Sequence, residues 1–219
     1  MTGKIRLLYL TLVCAGCAGV IGCASLIFGP RPDPPKFYVL TPSSAAPAPP
    51  SSPTASGGLI LGLGPVKLPA YLDRTEVVVR AAENRLEFAK GDRWGESLEK
   101  NFQRVLSRDL ASQLGTQQIV AYPWYATTKI DMQVEVEVYR FEADSQGSAK
   151  LSAKWTIRNG DGSKILYTAE SNFSQPSKPG DTTEAVAALS RDTSDLSAEI
   201  ANMVQQVRQK EPQPPLRPQ

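Results

Sequence analysis

From Ile130 to Val138 every second residue is apolar: Ile130, Met132, Val134, Val136 and Val138 alternate with Asp131, Gln133, Glu135 and Glu137. A period of two puts one set in a core and the other in water, which is the signature of a half-buried strand. The following run repeats it, with Leu151, Ala153, Trp155 and Ile157 alternating with Lys150, Ser152, Lys154 and Arg158. Together they predict a hairpin whose loop centres near Ser145 to Gly147. In that register Glu137 lies opposite or diagonal to Lys154, an opposite-charge pair worth a few tenths of a kcal/mol. Asn159-Gly160-Asp161-Gly162 is a strong turn signal. It leads into a third strand, Lys164 to Phe173, and the three make an antiparallel meander closed by Pro176 and Pro179.

Elsewhere the period is helical. Between Gly95 and Leu114 the residues Leu98, Phe102, Val105, Leu106, Leu110 and Leu114 fall on one face, and Gly115 stands where a C-terminal cap belongs. Asp181-Thr182-Thr183-Glu184 reads as an N-cap with its reciprocal acid. It opens a second helix with Val186, Leu189, Leu196, Ile200, Met203, Val204 and Val207 on one stripe and an irregularity expected near Asp192 to Asp195. Ahead of the first helix, Leu59 to Leu68 predicts a strand kinked at Gly64-Pro65. Glu76 to Arg80 and Arg85 to Ala89 predict two short strands around a turn at Glu83-Asn84, and Ile119 to Tyr122 predicts another, closed by Pro123. The fold class expected over residues 58–210 is α+β, an antiparallel sheet packed by two long amphipathic helices.

The N-terminal residues follow a different logic. Lys4 and Arg6 precede an apolar run from Leu7 to Leu12 that continues through small residues to Val20-Ile21-Gly22-Cys23, the layout of a secretory signal over residues 1–22. An uncleaved anchor helix is the competing reading, but glycines between Gly16 and Gly22 interrupt the segment, and it falls short of the roughly 20 strongly apolar residues a span needs. Aliphatic, any, small, Cys is the pattern of a bacterial lipobox, in which the Cys thiol is acylated and the chain is cut just before it. Cys23 fits best. Cys17 is the fallback, and Cys14 follows the bulky Val13. Several acyl chains, each contributing about 0.8 kcal/mol per buried CH2, make such anchoring effectively permanent. Ala24, and not Asp, would be the second mature residue, which favours the outer membrane over retention at the inner one.

Residues 23–57 read as a Pro/Ser-rich tether, since half of the chain's 18 prolines fall between Pro30 and Pro53. At about 3 Å per residue in polyproline II form, the stretch from Cys23 to Phe37 holds a domain up to roughly 40 Å from a lipid surface. One β-prone island, residues 37–40, interrupts it and is expected to dock as an edge strand while Ser43 to Gly57 loops out. Residues 211–219 form a proline-rich tail. Composition then narrows the chemistry: the chain has no histidine, and its three cysteines all lie within residues 1–23. Disulfides, His-activated nucleophiles and imidazole or thiolate metal sites have no residues to build them. Without Lys4 and Arg6 the basic and acidic residues balance, so there is no net charge to draw nucleic acid. No cofactor, no metal and no turnover are expected.

Residues 69–74 and the pair Arg93-Trp94 are the candidate partner surface. Pro69 cannot donate to a ladder, so the strand ends there and presents Tyr71, Leu72, Asp73 and Arg74 outside it. Tyr, Arg and Trp are the residue types that dominate binding hot spots. The structural reading of the same residues places Leu72 in the core and wedges Trp94 against the start of the helix.

FYVL, GLGPVKLPAYLDR, NRLEFA, DRW and ESLEKNFQRVLSRDL together resemble the PqiC family, the auxiliary lipoproteins of MCE-type (mammalian cell entry) lipid transport systems. The resemblance runs from Phe37 to about Val207. It implies a non-catalytic lipoprotein on the outer membrane, facing the end of an MCE tunnel protein that crosses the periplasm and assembling in a homo-oligomeric ring. Two other classes compete. A carboxylate-dependent envelope hydrolase would use two acids roughly 5 to 10 Å apart, with Glu76, Glu83, Glu87, Asp92, Glu96, Glu135 and Glu137 as candidates. An assembly or pilot lipoprotein of another outer-membrane complex would use contacts alone.

Overall fold

The computed structural model describes residues 33–43 and 58–210. The signal, the lipidation cysteine, most of the tether and the tail fall outside the described residues. Strand β1 is Lys36–Tyr38, β2 Leu61–Lys67, β3 Glu76–Ala82 and β4 Arg85–Trp94. Helix α1 is Leu98–Leu114, followed by β5 Ile119–Ala121, β6 Met132–Asp144, β7 Ser148–Asn159, β8 Ile165–Pro176 and helix α2 Thr182–Lys210. All belong to one compact unit, Pro35–Gln219.

The strand organising the sheet is β6. On one side it pairs antiparallel with β7, and β7 with β8, in the meander the alternation predicts. Glu137 stands directly opposite Lys154. On its other side β6 carries two strands end to end. Its first half pairs parallel with β2, as far as Lys67 opposite Glu137, and its last residues pair parallel with β3, Val79 opposite Ala143. From β2 the sheet continues to β5, and from β3 to β4 and β1. The sheet is therefore mixed, and the antiparallel expectation is corrected. Parallel pairing joins strands distant in sequence, and no periodicity encodes that.

Both helices pack on one face and against each other. Phe102, Val105, Leu106 and Leu110 of α1 and Leu196, Ile200 and Val204 of α2 are fully buried over Val134, Leu151, Trp155 and Ile157. Each such side chain contributes about 1.5 to 3 kcal/mol through lost contact with water. Phe102 meets Phe141 edge to face at 5.2 Å. The Trp155 indole donates to Ser171 Oγ at 2.9 Å, which satisfies the one polar atom of the largest buried ring. Gly115 ends α1 in the left-handed conformation, φ 61°, that glycine adopts without steric cost.

Helix α2 runs without interruption through residues 192–195, where an irregularity was expected. The buried hydroxyls there need no other partner: Ser190 donates to Val186 O, Thr193 to Leu189 O and Ser197 to Thr193 O. Asp181 Oδ1 accepts from Thr183 N and Glu184 N at the helix start. Between β5 and β6 the chain crosses over β2 at Gly62. A Cβ there would lie 3.0 Å from Ile130 Cδ1 and 3.1 Å from Trp124, close enough that these side chains would have to give by a few tenths of an ångström.

Candidate partner-binding site

Between the two strands that share one edge of β6 lies the segment expected to meet a partner. It makes a 3-10 turn, Ala70–Leu72, closed by Leu72 N donating to Pro69 O and Asp73 N to Ala70 O. Tyr71 donates its phenol to Glu142 Oε2 at 2.6 Å. Glu142 is fully buried and its carboxylate is otherwise held by Arg80 Nε at 2.7 Å, Arg140 Nε at 2.9 Å and the Phe141 amide at 3.1 Å. A buried carboxylate is tolerated when its lone pairs are matched in this way, and removing a partner is expensive. Burial, with the bond to Glu142, raises the Tyr71 phenol above its ordinary range. The bond to Glu142 likewise strengthens proton retention by Arg80.

Tyr71 is thus the lid of an ionic cluster and packs partly against the core. Leu72, 2% exposed, and Trp94, 5% exposed, are core residues. Their expected place on a partner surface is corrected: with Pro69 starting a tight turn, the next apolar side chain folds inward, and Trp94 ends β4 directly before α1. What remains outside is Asp73, Arg93 and the partly exposed Arg74, whose guanidinium lies 4.0 Å above the Phe88 ring. Strand register sets Phe37, Arg93 and Glu76 side by side on the face away from the helices, with Phe37 65% exposed. Arg93 and Phe37 are brought together; Tyr71 is not presented with them.

An edge strand is present as β1, parallel to β4, but at Lys36–Tyr38 and not over residues 37–40, and a strap follows it. Leu40 N donates to Asn101 Oδ1 at 2.6 Å, Thr41 N to Ser190 Oγ at 3.2 Å and Ser43 N to Asp109 Oδ1 at 2.8 Å. Residues 40–43 are held by both helices, and the Leu40 side chain is buried. Burial pushes the Asp109 carboxyl up, and the Ser43 amide opposes this.

The acids weighed for hydrolysis are scattered. Glu135 pairs with Arg158, Glu96 with Arg104 and Glu87 with Arg85, while Asp92 accepts from Tyr38 and Thr182. A polar cleft of about 310 Å3 beside Asp92 also holds Asp181, which caps α2. A second cleft of about 440 Å3 lies between β8 and the end of α2. Among the described residues no group of three or more Asp or Glu is placed to hold a metal ion, and no helix is long and apolar enough to cross a membrane. Sequence reasoning missed Glu142. Its signal was a break in alternation: after Val138 the buried parity shifts to Phe141 and Ala143, at the bulge between Val138 and Arg140.

Fold and site together define a two-layer α+β domain with both helices on one face of a mixed sheet and an ion-clustered turn on its strand edge. The chain belongs to the family described as ABC-type transport auxiliary lipoprotein component, the PqiC-like family, whose model matches residues 38–201. Among solved structures it is similar to an uncharacterized protein, at 18% identity and TM-score 0.63, covering 78% of this chain and 99% of that one. It is also similar to a Xanthomonas campestris protein of family DUF330, at 16% identity and TM-score 0.61, covering 80% and 98%. At these identities the likeness is one of fold. No curated protein matches the chain.

Proposed function

We propose that the chain is the outer-membrane component of an MCE-type lipid transport system, held on the periplasmic face by acyl groups on Cys23 and acting through contacts without catalysis of its own. The observation that carries this reading is the family match across residues 38–201, which spans nearly all described elements and names a transport auxiliary lipoprotein. The strap adds support, since a tethered domain needs its tether side fixed. The partner of this reading is the periplasmic end of an MCE tunnel protein, met by a ring of copies of this chain. Its surface is Asp73, Arg93 and the Arg74 guanidinium stacked on Phe88, with Tyr71, Leu72 and Trp94 supporting from behind. Recovery of an MCE protein from membranes with the lipidated chain tests it; recovery of a barrel or secretin instead would assign the chain to the assembly of another complex. Asp73→Ala with Arg93→Ala is expected to lower MCE recovery at least tenfold. Stability should change little, because exposed substitutions act by about 0.5 kcal/mol or less each. Undiminished recovery would place the interface elsewhere.

A further inference from the structure

We propose that this chain associates head to tail with further copies of itself, the aromatic loop that leaves β5 on one copy seating Tyr125 in the cleft between β8 and the end of α2 on the next. This contact deepens the ring of the proposed function and rests on that reading. The loop Tyr122-Pro123-Trp124-Tyr125 has three aromatic residues in four, yet Tyr122 is 48% and Tyr125 83% exposed. Its base is braced. Trp124 meets Tyr122 edge to face at 5.3 Å and lies over Gly62, Pro123 fixes its own φ, and Thr128 N donates to Tyr125 O at 2.9 Å. A large ring held out on a braced loop loses little freedom on docking, as a binding anchor requires.

The cleft supplies the complement. At about 440 Å3 it falls within the roughly 300 to 1,000 Å3 of sites that enclose small ligands, so it has room for one tyrosine ring. Ile165, 55% exposed, lines it with Leu166, Tyr167, Met203 and Val207, and Lys210 stands at its rim as a cation for the π face of an entering ring. Loop and cleft also lie where a repeating contact needs them. Among the described residues β5 pairs with β2 alone and β8 with β7 alone, so these strands are opposite edges of the sheet. Val120, Gly62, Gln133, Arg158 and Ile165 are paired in one row across β5, β2, β6, β7 and β8. That row sets the loop just past β5 and the cleft at the start of β8 at one level. A contact between two different patches is not used up in a pair: each copy keeps one half free, and the series closes as a ring where the rotation allows. It also shields two sheet edges otherwise open to stray pairing.

Sedimentation of the detergent-solubilised, lipidated chain tests this with two single variants, Tyr125→Asp and Ile165→Asp. Both positions are exposed, so Tm is expected to move little. The parent is expected to form oligomers larger than a dimer, and each variant alone to need at least tenfold higher concentration to associate. Mixed, the two variants should pair and stop at a dimer, since each retains the half that the other lacks. If the parent assembles and each variant alone assembles as readily, the interface lies on other edges, and this inference fails while the ring stands. A parent that stays monomeric removes both. A mixture that stays monomeric beside an assembling parent would overturn the inference as well, because loop and cleft would not then be partners.

Discussion

Replacing Asp192 by Asn removes a carboxyl that is fully enclosed on α2 and whose two oxygens have no hydrogen-bond partner. Burial first, and then the nearby Asp195, push it up to about 7, while Arg191 pulls the other way. Gln175 of strand β8 donates to Asp195 Oδ2 at 2.8 Å. An Asp in the unfolded chain titrates near 3.9. Between those values the folded state holds the proton more tightly than the unfolded one. This group therefore leaves stability intact below about pH 4, removes it as pH rises toward 7, and changes nothing further above that. At ~1.36 kcal/mol per pH unit the interval bounds the loss at roughly 4 kcal/mol. Asn retains an unpaired amide, costing about 1 to 3 kcal/mol at every pH. The difference between variant and parent should therefore shift by about 2 to 4 kcal/mol in favour of Asn from pH 4.5 to pH 8, while its value at pH 4.5 is near zero or slightly negative. Urea unfolding at pH 4.5, 6 and 8 reads it directly, and for a chain of this size each kcal/mol is about 2 to 4 °C in Tm. A variant-minus-parent difference that stays constant across this range would refute the reasoning.

Tyr71→Phe is expected to lose about 1.5 to 3 kcal/mol, because the phenol is one of the donors to the buried Glu142 carboxylate; a loss under 0.5 kcal/mol in denaturant unfolding would show that the arginines alone suffice. Gly62→Val should lower stability by about 1 to 3 kcal/mol or prevent folding, since Ile130 and Trp124 already occupy the space, and an unchanged Tm would contradict the crossing over β2. Cys23→Ser should abolish incorporation of labelled lipid and leave the far-ultraviolet circular dichroism unchanged; labelling lost only in a Cys17 variant would move the mature terminus.

Periodicity carried much of the fold into view. The alternations at 130–138 and 150–158 gave the β6–β7 hairpin with its register, down to Glu137 against Lys154, and the helical stripes gave α1 and α2. What stayed hidden depends on distant contacts. The parallel joins of β2 and β3 to β6 connect residues far apart along the chain. The full length of β6 was concealed where its bulge reverses parity, and that concealed Glu142 with it. The same omission explains the misplacement of Tyr71: its residue type suits an interface, but without Glu142 in view nothing in the local sequence shows that its hydroxyl is engaged. Leu72 and Trp94 illustrate the complementary limit, that a hot-spot residue type is also a core residue type. The uninterrupted α2 depends on hydroxyls bonding back to the helix itself, which sequence spacing allows but does not dictate.

The strap from Leu40 to Ser43 gives the domain a mechanical polarity. Any load reaching it through the residues before Lys36 enters at a strand paired in parallel with β4 and continues into backbone amides gripped by Asn101, Ser190 and Asp109. A pull along the β1 axis strains these bonds together in shear, whereas peeling would break them one at a time. Because the grip is divided between α1 and α2, load that passes β1 is shared by both helices, while Arg93, opposite Phe37 on β4, lies on the strand that meets it first.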